Sequence, residues 1–480
     1  VLILFGSLAA CIAVGQWRPE IAFYFFPTRA WELGFGSFAA FVVSRPAWQR
    51  LAGALFWPAL AAMLVIPFRP IGALHPGIDA VIVCAATLVV ILRCHGALNG
   101  RATRPVAFIG DISYSLYLVH WPIFALAANV WPGNAPPWIR VAIMPLSILL
   151  AWAQYRWIEN PIRSAPIRFS WRRAALAASV STLVIAIPYA TIASGGAPQA
   201  YADARRGNTG LGQACVSKTS YAPPPGCMTG SPPTMMVWGD SYAMHLVPGI
   251  VAERGSERIV QATKYVCGPL IGTSPVVDLP GAQFNRAWAD GCLTFNDDVL
   301  DYIRRNPSIR TVVIASVMKA YTDAADYHVV ERDPDGKVVA RPASIEAGLR
   351  GLARTVGALR AMGRKVVFIA PPPAMDWDAG LCAERVLRGL PTLGPNADCS
   401  IRDSEYRRKR AAVLELLHRV PGTLGVNVIM FDDALRRGDR YPTIDAGRIV
   451  YISNGHLSYA GSEMLARRMH IGQRILAEAR

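Results

Sequence analysis

Met235-Met236-Val237-Trp238 runs directly into Gly239-Asp240-Ser241. A short apolar run closed by a glycine turn and small polar residues reads as a buried strand that hands over to a helix. Working outward, further apolar runs stand at 259–262, 311–316, 365–370 and 426–431. Between the third and fourth runs, Ile345, Leu349, Leu352, Val356 and Leu359 recur at helical spacing. A second helix is predicted over 403–419 and a last one after Ser458. Strands alternating with helices predict an α/β fold, a parallel flavodoxin-like sheet flanked by helices. In such a sheet the turn after a strand opens at its carboxyl edge, where helix N-termini favour negative charge.

That placement suits Ser241 as a nucleophile, and a serine needs a base within hydrogen-bond reach, usually histidine. His456 leads, in His456-Leu457-Ser458 with Gly461 three further on, just before the last helix. An ordinary N-cap turn is the plain reading of Gly-Asp-Ser alone; the terminal His-Leu-Ser-x-x-Gly raises the enzymatic one. His245, four residues beyond Ser241, is the rival base, but on a helix its ring is expected to point along the axis. His328, His418 and His470 stand in no pattern. No cluster has metal-ligand spacing, and no phosphate-cradling glycine loop is present.

The N-terminal part of the 480 residues has a different composition. Residues 1–193 hold no lysine and five acidic side chains, Glu20, Glu32, Asp79, Asp111 and Glu159, in a chain that is 52% hydrophobic with net charge +16. Seven apolar segments lie at 1–16, 28–44, 51–67, 77–93, 106–129, 138–155 and 174–193, each near the roughly 20 residues that cross hydrocarbon. They predict a polytopic α-helical membrane bundle in contact with the lipid bilayer. The first segment has no charged start or cleavage site, so it does not read as a signal peptide, and Val1 gives it no polar lead-in, as in a chain that begins mid-structure. Arginines gather in the even connections, Arg45 and Arg50, then Arg93, Arg101 and Arg104, then Arg156, Arg163, Arg168, Arg172 and Arg173; Arg18, Arg69 and Arg140 are nearly all the odd ones hold. By the positive-inside rule the even connections are cytoplasmic and the C-terminal half emerges opposite, in the periplasm of a Gram-negative cell. Because the positive charge sits beside apolar helices, it argues for membrane orientation rather than nucleic-acid binding.

Six cysteines follow the apolar part, and an even number beyond a membrane anchor predicts disulfides made in an oxidising space. Proximity alone pairs Cys215 with Cys227, Cys267 with Cys292 and Cys382 with Cys399 among fifteen connectivities. Residues 194–234, with Gly195-Gly196 and Pro223-Pro224-Pro225, read as an ordered connector stapled by the first pair. The division expected is 1–165, 166–234 and 235–480. Within the apolar part, Arg29 and Glu32 at i, i+3 can pair, and Ser113-Tyr114-Ser115-Leu116-Tyr117 leads into His120-Trp121-Pro122. Two readings stay open: an interfacial aromatic belt with a structural ion pair, or a polar pocket of Arg29, Glu32, Ser113, Tyr117 and His120 along a substrate path.

Three stretches, 23–33, 109–122 and 157–163, the last reading Trp157-Ile158-Glu159-Asn160-Pro161-Ile162-Arg163, resemble the later helices of the acyltransferase-3 family, integral-membrane O-acyltransferases of bacterial envelope carbohydrate. The resemblance covers about 1–165. The family's earlier helices, with their catalytic histidine and Arg-x-x-Arg motif, have no counterpart here, and His120 does not take that role. One subgroup carries an SGNH-type domain after a linking helix, which residues 166–480 resemble. The SGNH superfamily's Gly-Asp-Ser and Asp-x-x-His blocks imply Ser241 as nucleophile, its N–H as an oxyanion donor and His456 as base. Ser453 stands where the orienting acid is expected, leaving Asn454 to hold the ring, and Tyr242 stands where related proteins often have histidine. No Gly-x-Asn-Asp block is visible, which leaves Gly268 as a second oxyanion contributor. The resemblance implies an O-acetyltransferase, with acetyl-CoA or another acyl-CoA as donor and lipopolysaccharide O-antigen, another glycan or peptidoglycan as acceptor. A membrane-anchored SGNH esterase and a truncated, inactive glycan-binding protein are the alternatives.

Overall fold

A computed structural model describes every residue except 1, 18, 44, 70, 72–76, 94–99, 134, 165–169, 173–174, 177, 181, 184–185, 187–189, 191–196, 278–281, 326, 334 and 480. Much of the seventh apolar segment, together with Arg18, Arg168, Arg173 and Gly195-Gly196, lies outside the described residues. The chain divides into two compact units, Val1–Asp111 with Val277–Asn285, and Ile112–Val276 with Arg286–Arg480.

In the first unit, α1 (Leu2–Trp17) packs on α2 (Ala30–Val42), and α3 (Pro46–Val65) lies along α4 (Ile78–Arg93). Ser7 locks the first pair: its hydroxyl donates to the Pro27 carbonyl at 2.6 Å and accepts the N–H of fully buried Trp31 at 3.0 Å. In the second unit, α5 (Ser113–Val130) packs on α6 (Pro137–Gln154). The predicted segment 106–129 is thus broken at Ile112, before which runs the separate helix Arg104–Asp111. Ser115, fully buried, donates to Glu159 at 2.7 Å, and Arg163 holds the other carboxylate oxygen at 3.2 Å.

Among the described residues one helix, Pro137–Ser164, is long and apolar enough to cross a membrane, against seven apolar segments expected, the seventh of which lies largely outside those residues. The difference is one of length: α1, α2 and α4, with 16, 13 and 16 residues, extend about 20–24 Å at 1.5 Å per residue, short of a hydrocarbon core of about 30 Å. The longer α3 and α5 carry Gln49 and Arg50, and Ser113 and His120, within their turns.

The C-terminal half of the second unit is a five-stranded parallel sheet. Its strands are β1 (Met235–Gly239), β2 (Ile259–Thr263), β3 (Thr311–Ala315), β4 (Lys365–Ile369) and β5 (Val428–Ile429), in the order β2-β1-β3-β4-β5. The inner strands are apolar on both faces because both faces are covered. Met236, Trp238, Val312 and Phe368 pack under α7 (Arg286–Arg305), α8 (Ile345–Ala361) and α9 (Ala411–Leu424), while Met235, Val237, Val313 and Val367 pack under helices on the other side. The helix predicted over 403–419 is two, Asp403–Lys409 and α9, separated at Arg410, and only two residues of the 426–431 run pair as a strand. A three-stranded antiparallel sheet, Thr273–Val276, His328–Arg332 and Val338–Pro342, is an addition to the expected fold.

The three disulfides are Cys215–Cys227, Cys267–Cys292 and Cys382–Cys399, the pairs that proximity predicted. The connector is ordered along β2, the outermost strand. Val216 bridges Thr263 in parallel and Met228 bridges Val260 antiparallel, with Ser217 N–H to Thr263 O and Thr229 N–H to Ile259 O, both at 2.9 Å.

Candidate active site

β1 ends against β3 so closely that only glycine fits: a Cβ on Gly239 would lie 1.8 Å from the Ala315 carbonyl oxygen. Asp240 then caps the short helix Ser241–Met244, accepting the Tyr242 N–H at 2.8 Å. Its other oxygen accepts the Ser316 hydroxyl at 2.7 Å and the Val317 N–H at 3.1 Å, which ties the carboxyl ends of β1 and β3 together. Burial pushes the Asp240 carboxyl up to about 6 against the pull of these donors. The N–H groups of Tyr242, Ala243 and Met244 are all taken by Asp240, whereas that of Ser241 has no partner among the described residues.

Ser241 and His456, 215 residues apart, meet at the sheet's carboxyl edge, with Ser241 Oγ 2.8 Å from His456 Nε2. The imidazole is held from the other side by Ser453 Oγ, 3.2 Å from Nδ1. With the proton on Nδ1, that nitrogen donates to Ser453 and Nε2 accepts from Ser241, so every partner is used. The Tyr242 ring stacks at a tilt on His456, centroids 4.7 Å apart. Burial lowers the His456 pKa to about 4, so the ring is neutral at pH 7 and free to accept a proton. Among the described residues no carboxylate is bonded to the ring to stabilise the imidazolium, consistent with the sequence departure at Ser453.

His245 does not compete as base. It is fully buried, its Nδ1 accepts the Leu457 N–H at 3.3 Å, and burial holds its pKa well below the usual value. It supports the loop that carries His456. Two expectations need correction. The Gly268 N–H is spent on the Tyr321 hydroxyl at 2.7 Å, and a Cβ there would meet Ser316 Oγ at 2.8 Å, so Gly268 is a packing glycine with no free oxyanion donor. Asn454 does not hold the ring: its carbonyl accepts the Met375 N–H at 2.9 Å, and its side-chain oxygen is 3.5 Å from Ser453 Oγ. Ser316, whose hydroxyl donates to Asp240, was not singled out in the sequence, although it is the last residue of a predicted strand run.

In the apolar part, Arg29 and Glu32 form a two-pronged ion pair at 3.0 and 2.9 Å. Ser113 is exposed, Tyr117 is 71% exposed, and His120 Nδ1 lies 2.9 Å from the Leu116 carbonyl one turn back. The buried serine of that turn is Ser115, committed to Glu159, so Ser113, Tyr117 and His120 do not close into a polar pocket of their own.

Residues 213–470 match the profile of the SGNH domain (fused to AT3 domains), and residues 1–156 match an acyltransferase domain. O-acetyltransferase OatA of Staphylococcus aureus (strain MRSA252) is 32% identical over 97 residues, 19% of this chain and 16% of OatA. OatA of strain NCTC 8325 / PS 47 is 31% identical over the same shares. The chain therefore spans less than a fifth of the length of these relatives. The lipopolysaccharide acetyltransferase periplasmic domain of Salmonella ser. Paratyphi A aligns at 19% identity and a TM-score of 0.38, covering 59% of this chain and 97% of that one. With more than half of its 480 residues matched by a single profile, joined to an acyltransferase domain, this chain belongs to the family of SGNH domains fused to AT3 domains.

Proposed function

We propose that the chain transfers acyl groups, acetyl first among them, to hydroxyls of cell-envelope carbohydrate, with Ser241 as nucleophile and His456 as general base. The observation that carries this reading is the 2.8 Å contact between Ser241 Oγ and His456 Nε2. Family membership supplies the reaction class, since the apolar part matches an acyltransferase domain. Three disulfides and the arginine distribution support a C-terminal half on the oxidising face of the inner membrane. An acyl-CoA on the opposite face is the donor this arrangement calls for. Residues 1–165 would then be a membrane acyltransferase domain, 166–234 the linking helix and connector, and 235–480 the domain that meets the glycan.

The chemistry balances in two halves. Ser241 Oγ attacks the acyl carbonyl while its proton passes to His456 Nε2; the bond to the donor breaks and the leaving group takes that proton. A sugar hydroxyl then attacks the acyl-serine ester, its proton moves to Nε2, and collapse returns the proton to Ser241 Oγ. The unpartnered Ser241 N–H is positioned to hold the oxyanion in both halves. The test is Ser241→Ala in a complemented strain, read by NMR of purified envelope polysaccharide. Loss of O-acetyl signals is expected, and undiminished acetylation would remove this site from the reaction.

A further inference from the structure

The segment just after the described helix Ala197–Ala204, ahead of the residues matched by the SGNH profile, reaches the back of the site. Asn208 is buried, and its side-chain Nδ2 donates to two carbonyls, His245 O at 3.2 Å and Leu457 O at 3.2 Å. Those carbonyls belong to the two segments that carry the dyad. His245 closes the turn begun by Ser241, and Leu457 follows His456. The orientation of the amide is fixed independently, because its Oδ1 accepts the Gly210 N–H at 3.2 Å. Leu457 is held at both ends, its carbonyl by Asn208 and its N–H by His245 Nδ1 at 3.3 Å. Three residues before Asn208, Arg205 grips the same loop, with Nε 3.5 Å from the Ile452 carbonyl and its other nitrogens on Glu384 at 2.9 Å and Asp378 at 3.1 Å.

In a site with an orienting carboxylate, the imidazole is aimed through its own Nδ1. Here Nδ1 meets only a serine hydroxyl, so the aim of the ring depends on where its backbone is held. We propose that Asn208 is a positioning residue for the Ser241–His456 pair, fastening the serine turn to the histidine loop, and that the connector is thereby part of the catalytic architecture. This rests on the Ser–His chemistry proposed above. It also couples that chemistry to the connector: a shift of residues 205–208 moves both halves of the dyad.

The experiment uses the full chain in detergent, with p-nitrophenyl acetate as probe. It compares the parent with Asn208→Ala, Asn208→Asp and Ser241→Ala for kcat, KM, pH profile and thermal midpoint. Asn208→Ala is expected to lose about tenfold or more in kcat, in keeping with the cost of small misplacements at a reacting centre, with KM little changed. Asn208→Asp, which turns a carboxylate on the two carbonyls, loses more. A loosened ring is better hydrated, so the acid limb of the profile moves upward in Asn208→Ala, a shift that a purely structural role would not produce. If Asn208→Ala does not fold, Asn208→Gln, which keeps the amide one methylene out of place, is read the same way. Parental kcat and an unmoved acid limb in a folded variant overturn the proposal while Ser241→Ala is dead. Parental turnover by Ser241→Ala brings down the Ser–His reading instead.

Discussion

Ser453 is the residue on which the chemistry of this site turns. Its hydroxyl lies 3.2 Å from His456 Nδ1, where it can accept a hydrogen bond but offers no charge to an imidazolium. Burial, with no charge there to oppose it, leaves His456 at about 4. The ring is a weak base that stays neutral far into the acid range, and activity is lost only as pH falls through that value. Ser453→Asp places a carboxylate at the same nitrogen and favours the charged ring. The acid limb of the pH–rate profile is expected to rise by about one to two pH units, with kcat up about tenfold or more. A profile that stays where it was would mean the aspartate does not reach the ring. The sequence already showed that an acid was missing three residues before His456. It did not show that the serine replacing it faces Nδ1 while Asn454 turns its carbonyl to Met375, because side-chain direction in a loop follows backbone angles that spacing does not encode.

At the scale of elements, two helices set the distance across the dyad. Helix Val247–Ala252 follows the serine turn, and helix Tyr459–Met469, capped by Ser458, follows the histidine loop. They touch at Gly249, whose N–H donates to Ser462 Oγ at 3.0 Å and whose absent Cβ would lie 2.4 Å from the Ser462 carbonyl oxygen and 2.7 Å from Ala466 Cβ. Gly249→Ala forces them apart. A loss of about 2 kcal/mol is expected from overpacking, visible as a lower thermal midpoint, together with reduced turnover because the separation passes to Ser241 and His456. A midpoint equal to the parent's would show that the helices yield elsewhere. The main strands were readable because both faces are buried and their apolar runs are uninterrupted. The three-stranded sheet was not, since Pro275 and Pro342 sit inside it and His328 and Arg332 end one strand. The break at Arg410 was hidden because the charged residues around it suit a helix surface equally well.

For the molecule as a whole, composition separated an apolar part from a cysteine-bearing one, and proximity found the right cysteine pairs because each closes a short loop. Among the described residues one helix alone has the length and apolar character of a crossing, because local helix length is decided by packing as well as by apolar runs. That the connector is ordered and stapled was expected, but where it packs was not, because its contacts are spread singly along residues that look like linker. By bridging Thr263 and Val260 it lies along the outer side of β2, and Cys215–Cys227 clamps the two bridging residues, Val216 and Met228, to one another. Without that clamp, a five-residue strand with every side chain buried would present a bare row of amides and carbonyls to its surroundings, the usual template for edge-to-edge growth. Cys215→Ser with Cys227→Ser should therefore cloud progressively as protein concentration rises, measured by light scattering, while the parent stays clear. The staple, on this view, is less a brace for one molecule than a guard against the next.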